Sequence, residues 1–255
     1  MSRAVCFLAC LGLLLGFSVS GASAQEKKEV GVRWFGHSFF LITSSSGTRI
    51  AIDPHAITEY GSPMIAPDIA LITHPHNDHN RTEVFSNADS KDLKVYQGVV
   101  AKGKRDDWAK IDETYKGVKI RTVGLYHDLE EGKKRGKNSA FVIEVDGLKF
   151  CHLGDLGHEL DEEQVKAIGP IDVLMIPVGG IYTINGEEAK KVVKALKPRL
   201  FILPMHYATK VYTEVLGPDE FLEGQKNVRK LDGQLLSIPL DLKAEAPTIV
   251  MLEWK

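Results

Sequence analysis

Short apolar segments separated by turn residues occupy the first third of the chain. Residues 30–35, 39–43 and 49–53 each have the length and apolar content of a strand, and a run of three serines and a glycine separates the last two. Residues 68–73 form a nearly unbroken apolar run, which is typical of a strand covered on both faces. The pattern therefore predicts an opening β-meander, followed by a buried strand that ends at His74.

The same pattern returns in the second half of the chain. Residues 148–153, 172–176 and 200–203 are apolar runs, and each leads into a loop that holds a polar or conformationally special residue. Asp155 follows the first of these runs and His206 follows the last. Polar groups placed just beyond successive strands are expected to meet at one edge of a sheet.

Two helix starts lie between these runs. Asp161 has the position of an N-cap, with Gln164 three residues later, and a Gly-Pro pair ends the segment. Asn185 and Glu188 form a second capping box ahead of an apolar stripe that continues to Leu196. Strands with intervening helices predict an α/β layered fold with its site along one sheet edge.

Composition agrees with one globular domain. The chain has 255 residues, of which 44% are hydrophobic and 26% are charged, and α/β domains of this length are common. No linker rich in proline or serine and no short repeat divides the sequence. We therefore expect a single domain over residues 25–255.

Residues 1–24 have the composition of a signal peptide. Arg3 supplies a positive charge, residues 5–17 are apolar but too short to span a bilayer, and an Ala-Ser-Ala motif precedes Gln25. We predict cleavage before Gln25 and export to the periplasm or the medium, with no stable membrane anchor afterwards. An uncleaved anchor is the alternative.

Removal of residues 1–24 changes the number of cysteines and the formal net charge of the chain. Cys6 and Cys10 are lost, so Cys151 remains without a disulfide partner and stability must come from the core. Cys151 lies in an apolar run and is interpreted as a core residue rather than a nucleophile. Loss of Arg3 leaves 31 basic against 34 acidic residues, a formal charge of −3. That balance gives no general attraction to nucleic acid.

A cluster of potential metal ligands follows the buried strand. Residues 73–80 read Thr-His-Pro-His-Asn-Asp-His-Asn and hold three of the nine histidines. On an extended segment His74 and His76 point to the same side, so their ring nitrogens can meet one ion, and neutral imidazole is the commonest ligand for zinc-like ions. Asp78 and His79 lie past the bend, where they face either a second ion or another coordination position.

This motif resembles the signature of the metallo-β-lactamase fold superfamily, whose members are four-layer αββα sandwiches that bind one or two metals at one edge of the two sheets. Other short motifs extend the likeness over about residues 30–209. They are Gly36-His37-Ser38, Asp53-Pro54, Gly154-Asp155, Pro177-Val178-Gly179-Gly180 and Pro204-Met205-His206-Tyr207. Together they are similar to the branch of Zn-dependent hydrolases that contains the L-ascorbate-6-phosphate lactonase-like proteins.

The resemblance implies two metal sites. The ligands of the first ion would be His74, His76 and His127. Those of the second would be Asp78, His79 and His206, with Asp155 as the bridge. His127 follows a predicted strand at residues 118–126, but Asp128 stands where the branch usually has a small hydroxyl residue, so His158 or His152 could replace His127.

The other histidines and one charged loop have less specific interpretations. His152 alternates away from Asp155 along its strand and is interpreted as a buried structural histidine. His37 either reaches the mouth of the site or simply occupies a turn between strands, and no role is assigned to His55. The charged residues 130–137 are interpreted as a solvated turn in preference to a cationic flap over an anionic substrate.

These features predict a metal-dependent hydrolase. Two divalent ions that share an aspartate lower the pKa of a water molecule and polarise the bond under attack, so no side-chain nucleophile is needed. The sequence has no G-x-S-x-G motif, which fits that chemistry. The resemblance suggests that Asp78 is also catalytic, because it would steer the water or carry its proton.

The expected substrate is a small-molecule lactone, ester or amide. A phosphodiesterase of the same fold and a metal-binding protein without catalysis are the alternatives. Zinc is expected at a histidine-rich site, and manganese or iron are alternatives because shared carboxylates also suit them. A true β-lactamase is disfavoured by the Gly154-Asp155 motif and an RNA-processing enzyme by export. His76 disfavours the di-iron redox relatives, which usually have glutamate there.

Overall fold

A computed structural model describes Met1, residues 28–103 and residues 105–255. The predicted signal peptide and its cleavage site lie outside the described residues. The first half of the described chain is built from strands. They are β1 (Glu29–Trp34), β2 (Phe40–Thr43), β3 (Arg49–Ile52), β4 (Ile69–Ile72), β5 (Lys94–Gln97), β6 (Val99–Lys102), β7 (Arg105–Trp108) and β8 (Asp112–Tyr115).

The second half combines strands with three helices. The strands are β9 (Val118–Tyr126), β10 (Lys137–Val145), β11 (Leu148–His152), β12 (Val173–Pro177), β13 (Phe201–Met205), β14 (Val228–Lys230), β15 (Leu235–Pro239) and β16 (Thr248–Met251). The helices are α1 (Glu162–Ile168), α2 (Gly186–Leu196) and α3 (Asp219–Leu222). The strands predicted from the apolar runs are confirmed, with ends that differ by one or two residues.

The strands form two large sheets and one hairpin. The first sheet has six strands in the order β15-β1-β2-β3-β4-β5, and the second has eight in the order β14-β16-β13-β12-β11-β10-β9-β8. In the first sheet β3, β4 and β5 run parallel. In the second sheet β11, β12, β13 and β16 run parallel, and β8 to β11 alternate in direction. Among the described strands, β6 and β7 pair only with each other.

The main core lies between the two sheets. Trp34, Phe40 and Ile52 project from the first sheet and Phe141 and Phe150 from the second, and all five are fully or almost fully buried. Burial of each such side chain stabilises the fold by about 1.5–3 kcal/mol before entropy is counted. Two sheets packed in this way form the central layers of a sandwich.

Helices α1 and α2 cover the outer face of the second sheet. Both begin as the sequence predicts: the Asp161 side chain accepts the Gln164 N–H in one capping box, and Asn185 and Glu188 form the other. Each reciprocal pair satisfies two backbone N–H groups that would otherwise lack partners. The buried Val192 of α2 belongs to the same apolar core as the sheets.

The outer face of the first sheet is covered differently. Short 3-10 turns at Thr58–Tyr60 and Thr82–Val84 lie in the two segments that flank β4, and Ile65 and Phe85 of these segments pack with Phe39 against this face. Prolines at positions 54, 63 and 67 remove backbone N–H donors and disfavour a regular helix there. The predicted α/β sandwich is confirmed, and one of its outer layers consists of these turns.

Strand direction determines where the polar residues meet. Strands β3 and β4 are parallel in the first sheet, and β9, β11 and β13 share one direction in the second. The residues that follow the carboxyl ends of these five strands are Asp53, Thr73-His74, His127, Leu153-Gly154-Asp155 and His206. The His206 N–H donates to the His37 carbonyl at 3.1 Å, and this hydrogen bond links the two sheets at this edge.

Among the described residues, no helix is long and apolar enough to cross a bilayer.

Candidate metal centre

Asp155 lies at the middle of a group of imidazoles. Its Oδ2 is 3.1 Å from Nε2 of His79, 3.1 Å from Nε2 of His127 and 3.2 Å from Nε2 of His206. The Nε2 of His74 is 3.8 Å away. Asp155 is buried and all four rings belong to buried residues, so the polar atoms face one another and not bulk water. The convergence on which the predicted site depends is therefore present.

Apart from a third set of Asp53, His74 and His79, the potential ligands among the described residues fall into two groups, and Asp155 Oδ2 lies close to imidazoles of both. Candidate ligand atoms lie within 4.8 Å of one another in each group. The first group is His74, His76 and His127, and the second is His37, Asp78, His79 and His206. Apart from His37, the partition matches the two ligand sets that the family resemblance implies. His76 and Asp78 are the accessible members and line the cavity above the cluster.

Asp53 orients two of these imidazoles. Its Oδ2 accepts a hydrogen bond from the Thr73 hydroxyl at 2.7 Å and lies 2.9 Å from Nδ1 of His79. The Thr73 oxygen is in turn 2.9 Å from Nδ1 of His74. Because Nδ1 of each ring donates along this network, Nε2 is the nitrogen that each ring in its neutral form can offer to a cation. Asp53 follows β3 directly, and the family resemblance includes the Asp53-Pro54 motif without assigning the side chain a role.

Three residues of the site have a positive backbone φ, which residues other than glycine rarely adopt. The φ angles are 51° at His37, 49° at Asp53 and 51° at His206. Gly154 has a φ of 54°, and a Cβ there would collide with the side chains of Asn138 and Thr73. Left-handed conformations outside glycine persist where the surrounding structure enforces them, and they concentrate at functional sites.

Burial and mutual charge set the protonation of the cluster. Burial lowers the pKa of His74 well below its usual range, and burial lowers the pKa of His37 to about 3. Burial alone would raise the pKa of Asp155, but the neighbouring His206 and His79 hold it well below the ordinary value. For His79, burial alone would lower the pKa, but the neighbouring Asp155 and Asp53 hold it well above the ordinary value. A neutral His74 beside an ionised Asp155 is ready to bind metal, whereas metal binding at His79 would displace a proton.

The donor set fits divalent metal. One carboxylate oxygen cannot accept good hydrogen bonds from four imidazoles at once, and His74 Nε2 lies 3.1 Å from His76 Nδ1. Within the described part of the chain, Asp155 Oδ1 and Nε2 of His79 are buried without a hydrogen-bond partner. Buried polar atoms are normally paired, and a cation between these lone pairs explains the arrangement.

The other histidines are placed outside the cluster. The Gly154 N–H donates to Nδ1 of His152, whose Nε2 lies 2.9 Å from the Ser38 carbonyl. His158 accepts the Tyr126 N–H, and its Nδ1 lies 2.7 Å from the Glu159 carbonyl. Both rings are therefore engaged by backbone groups, and it is His127 that lies next to Asp155.

His37 has both features that the sequence left open. It occupies the turn between β1 and β2, and its Nε2 lies 3.3 Å from Asp78 Oδ2.

A cavity of about 280 Å³ opens above the cluster. Its wall also includes Arg135, from the charged turn of residues 130–137 that was interpreted as solvated, and Tyr182, Tyr212 and Glu214, which no sequence motif places at the site. All four lie in loops that only tertiary packing brings to this edge.

Comparison with known proteins gives the family. A model of the β-lactamase superfamily domain matches residues 31–206. A UPF0173 metal-dependent hydrolase of Thermococcus onnurineus is 35% identical over 201 residues, which is 71% of this chain and 85% of the relative. A UPF0173 metal-dependent hydrolase of Pyrococcus abyssi is 33% identical over 200 residues, with the same coverage.

Solved structures agree. A Thermotoga maritima protein assigned to the Zn-dependent hydrolases of the metallo-β-lactamase superfamily is 34% identical, with a TM-score of 0.66 over 88% of this chain and 98% of that one. Igni18 of Ignicoccus hospitalis, described as a metallo hydrolase, is 26% identical, with a TM-score of 0.52 over 76% of this chain and 88% of its own. The chain therefore belongs to the β-lactamase superfamily and, within it, to the UPF0173 metal-dependent hydrolases.

Proposed function

We propose that this chain is an exported hydrolase that holds two divalent ions, zinc by preference, and cleaves a lactone, ester or amide of a small molecule. The observation that carries the proposal is the position of Asp155, whose Oδ2 lies within 3.8 Å of four imidazole nitrogens. His74, His76 and His127 would hold one ion, and Asp78, His79 and His206 would hold the other. Asp155 lies close to imidazoles of both groups and would be a ligand of both ions.

Bound ions would polarise the scissile carbonyl and lower the pKa of a water molecule, which is the chemistry that a metal-dependent hydrolase requires. In a lactone or ester, water adds to the acyl carbon and the acyl C–O bond breaks. The products are a carboxylate and an alcohol. The water supplies the new carboxylate oxygen, one of its protons passes to the alcohol, and the other is released. No covalent intermediate with a side chain is needed.

Asp78 is the residue best placed to handle the proton. It is 34% exposed, lines the cavity and keeps Oδ2 3.3 Å from His37 Nε2. Burial alone would raise the pKa of Asp78, but contact with His37 and His79 holds it well below the usual range, so it is ionised and could accept a hydrogen bond from the attacking water.

The rest of the chain supports metal-activated water over a thiol nucleophile. Burial raises the pKa of the Cys151 thiol to about 12, and the side chain lies in the core. A thiol in that environment is not a nucleophile at neutral pH. The cavity of about 280 Å³ suits a small organic molecule more than a polymer.

Export follows from the proposed signal peptide of residues 1–24. In that location a small-molecule ester or lactone is an accessible substrate and intracellular RNA is not. The formal charge of −3 for the mature chain adds no attraction to nucleic acid. Similarity of short motifs to the lactonase-like branch favours the lactone among the three acyl substrates.

The test combines metal analysis with turnover. The mature protein, purified and dialysed, would be assayed for bound metal and for hydrolysis of lactones, esters, amides and phosphodiesters. We expect close to two divalent ions per chain and turnover of at least one acyl substrate. The Asp78→Asn variant should lose about 10²–10⁴-fold in kcat, the range for a positioned proton carrier.

The outcomes separate the competing functions. Metal binding without turnover on any substrate, with no effect of Asp78→Asn beyond affinity, would indicate a metal-binding protein without catalysis. Turnover confined to phosphodiesters would show that the substrate is a phosphodiester and not an acyl compound.

N-terminal sequencing of the exported protein tests the proposed cleavage of the signal peptide. A mature chain that begins at Gln25 is expected, and retention of residues 1–24 would contradict the proposal.

A further inference from the structure

Arg135 is a cation on the wall of the candidate site. It lines the cavity of about 280 Å³ over Asp155 and also an adjoining cavity of about 230 Å³. His127 and Tyr182 line both cavities as well, so these three side chains form a wall that the two spaces share. A molecule whose reactive bond lies over Asp155 can therefore reach Arg135 from within the first cavity.

Asp128 fixes the loop that carries Arg135. Its two carboxylate oxygens accept four backbone N–H groups at 2.7–3.0 Å. The donors are Glu130, Gly132, Lys134 and Arg135. Asp128 stands where the family branch usually has a small hydroxyl residue, which could not accept four such bonds. Residues 130–137 are therefore a turn with an anchored backbone and not a free flap.

The guanidinium of Arg135 is held from one side and lacks an acidic partner. Its Nη2 donates to the Ile181 carbonyl at 3.2 Å, and its Cζ lies 5.4 Å from the centre of the Tyr182 ring. Among the described residues, no carboxylate lies within 4.0 Å of it, whereas Lys134 pairs with Glu130 and Lys137 with Asp107. Arginine has five N–H donors, so donors remain for a ligand.

The loop beneath the guanidinium is strained and apolar at its surface. Ile181 has a φ of 59°, an outlier for a β-branched residue, and its side chain is 54% exposed. Tyr182 is 42% exposed and Leu129 is 75% exposed across the same cavity. Strain and exposed apolar groups are unfavourable in the free protein and are found where a ligand is bound.

We propose that Arg135 binds an anionic group, a carboxylate or a phosphate, on the substrate of the hydrolytic site, with Leu129, Ile181 and Tyr182 against the apolar part of the same molecule. This inference rests on the proposed function and narrows its substrate class to acidic lactones, esters or amides. Guanidinium forms bidentate bonds with both kinds of anion. Glu214 lies on the same cavity, next to the Tyr212 hydroxyl at 3.3 Å, so the anion is expected at the Arg135 end.

The experiment uses three nitrophenyl esters of equal chain length. The acids are hexanoic acid, adipic acid esterified at one end, and 4-hydroxybutanoic acid phosphorylated at its hydroxyl, so that the terminal carbon or phosphorus is the sixth atom in each chain. They present a methyl, a carboxylate and a phosphate at the same distance from the ester. The metal-loaded wild type is compared with Arg135→Met, Arg135→Lys and the control Lys133→Met, which changes an exposed lysine of the same turn outside both cavities.

We expect Arg135→Met to raise KM for one or both charged esters by about tenfold to a hundredfold, with kcat nearly unchanged, because a charge-assisted hydrogen bond is lost. Arg135→Lys should restore part of the affinity, and Lys133→Met should change nothing. KM for the hexanoate ester should be unchanged in all variants. The charged ester that responds identifies carboxylate or phosphate as the ligand. Equal effects on all three esters, or none, would overturn the assignment of Arg135.

A calorimetric titration keeps this inference separable from the proposed function. Adipate and inorganic phosphate are titrated separately into metal-loaded wild type and Arg135→Met. Weaker binding of either anion by the variant supports the anion site even if the wild type hydrolyses no ester, a result that would count only against the acyl hydrolase. Turnover of esters together with identical anion binding by both proteins would overturn the anion site alone.

Discussion

Two groups of buried histidines in this protein differ in what their ring nitrogens meet. His55 and His152 have both nitrogens engaged by backbone groups: Ile57 N–H donates to His55 Nδ1, and His55 Nε2 lies 3.2 Å from the Gly36 carbonyl. The imidazoles around Asp155 instead direct nitrogens at one another and at a single carboxylate oxygen. The two groups are equally buried, so burial does not distinguish them.

This difference in hydrogen-bond partners distinguishes a metal-binding histidine from a structural histidine. A structural histidine has its donor and its acceptor satisfied by the fold, and removal of the ring costs stability. A ligand histidine is oriented through one nitrogen or through packing, and its other nitrogen has no adequate protein partner. His79 has the second arrangement, with Nδ1 on Asp53 and Nε2 toward Asp155.

The largest expected effect comes from Asp155→Asn. The change removes the negative charge that both groups of ligands share, and metal-based stabilisation of several kcal/mol corresponds to about a thousandfold or more in rate. We expect kcat/KM to fall by at least that factor and the metal content after dialysis to fall with it. Full metal content and near-normal turnover in this variant would place the reaction elsewhere.

His127→Ala and His158→Ala form a matched pair. His127 Nε2 lies 3.1 Å from Asp155, whereas His158 is engaged by backbone groups of Tyr126 and Glu159. Loss of His127 should remove about one ion per chain and lower turnover by two orders of magnitude or more, an effect of a few kcal/mol. His158→Ala should retain both ions and turnover. The reverse result would transfer the ligand role to His158.

Asp53→Asn should have a smaller effect on metal. The variant keeps the size of the side chain but weakens the acceptor that orients His79 and, through Thr73, His74. Loss of such an orienting carboxylate lowers metal affinity by about 10–100-fold. Competition with a chelator measures the affinity directly.

Asp172→Asn is the control for that variant. Asp172 is also buried, accepts the Lys149 N–H and the Arg199 side chain, and belongs to no ligand cluster. Its substitution should lower the free energy of unfolding and leave the metal affinity unchanged. Equal losses of affinity in both variants would mean that the Asp53 effect is merely structural.

The smallest effect on metal is expected for His55→Leu. The variant leaves the Gly36 carbonyl and the Ile57 N–H without their buried partner, which costs about 1–3 kcal/mol of unfolding free energy. Metal stoichiometry and kcat should be unchanged. Urea unfolding and metal analysis of one preparation check both statements, and a loss of metal would remove the distinction between the two histidine groups.

Much of the fold follows from local sequence. Capping boxes at Asp161 and Asn185 fix the starts of α1 and α2, and unbroken apolar runs identify β4, β11, β12 and β13. Local sequence does not give the outer layer over the first sheet, because prolines and 3-10 turns have no apolar period. It also does not give the pairing of the late strand β15 with β1, which depends on contacts across the whole chain.

The site was predictable where its residues follow buried strands. His74, Asp155 and His206 belong to this class, and the structure brings them together. The choice between His127 and His158 was not predictable, because it depends on how the chain after β9 packs against the turn that follows Asp155. Arg135 reaches the site through four backbone bonds to Asp128, a contact that no sequence period encodes.

The central claim is that Asp155 joins two cation sites. Anomalous diffraction from crystals of the purified mature protein, with data collected on both sides of the absorption edge of the bound metal, tests it most directly. The account predicts two anomalous peaks on opposite sides of Asp155, one among His74, His76 and His127 and the other among Asp78, His79 and His206. Peaks that lie away from Asp155, or no peak in protein that hydrolyses its substrate, would contradict it.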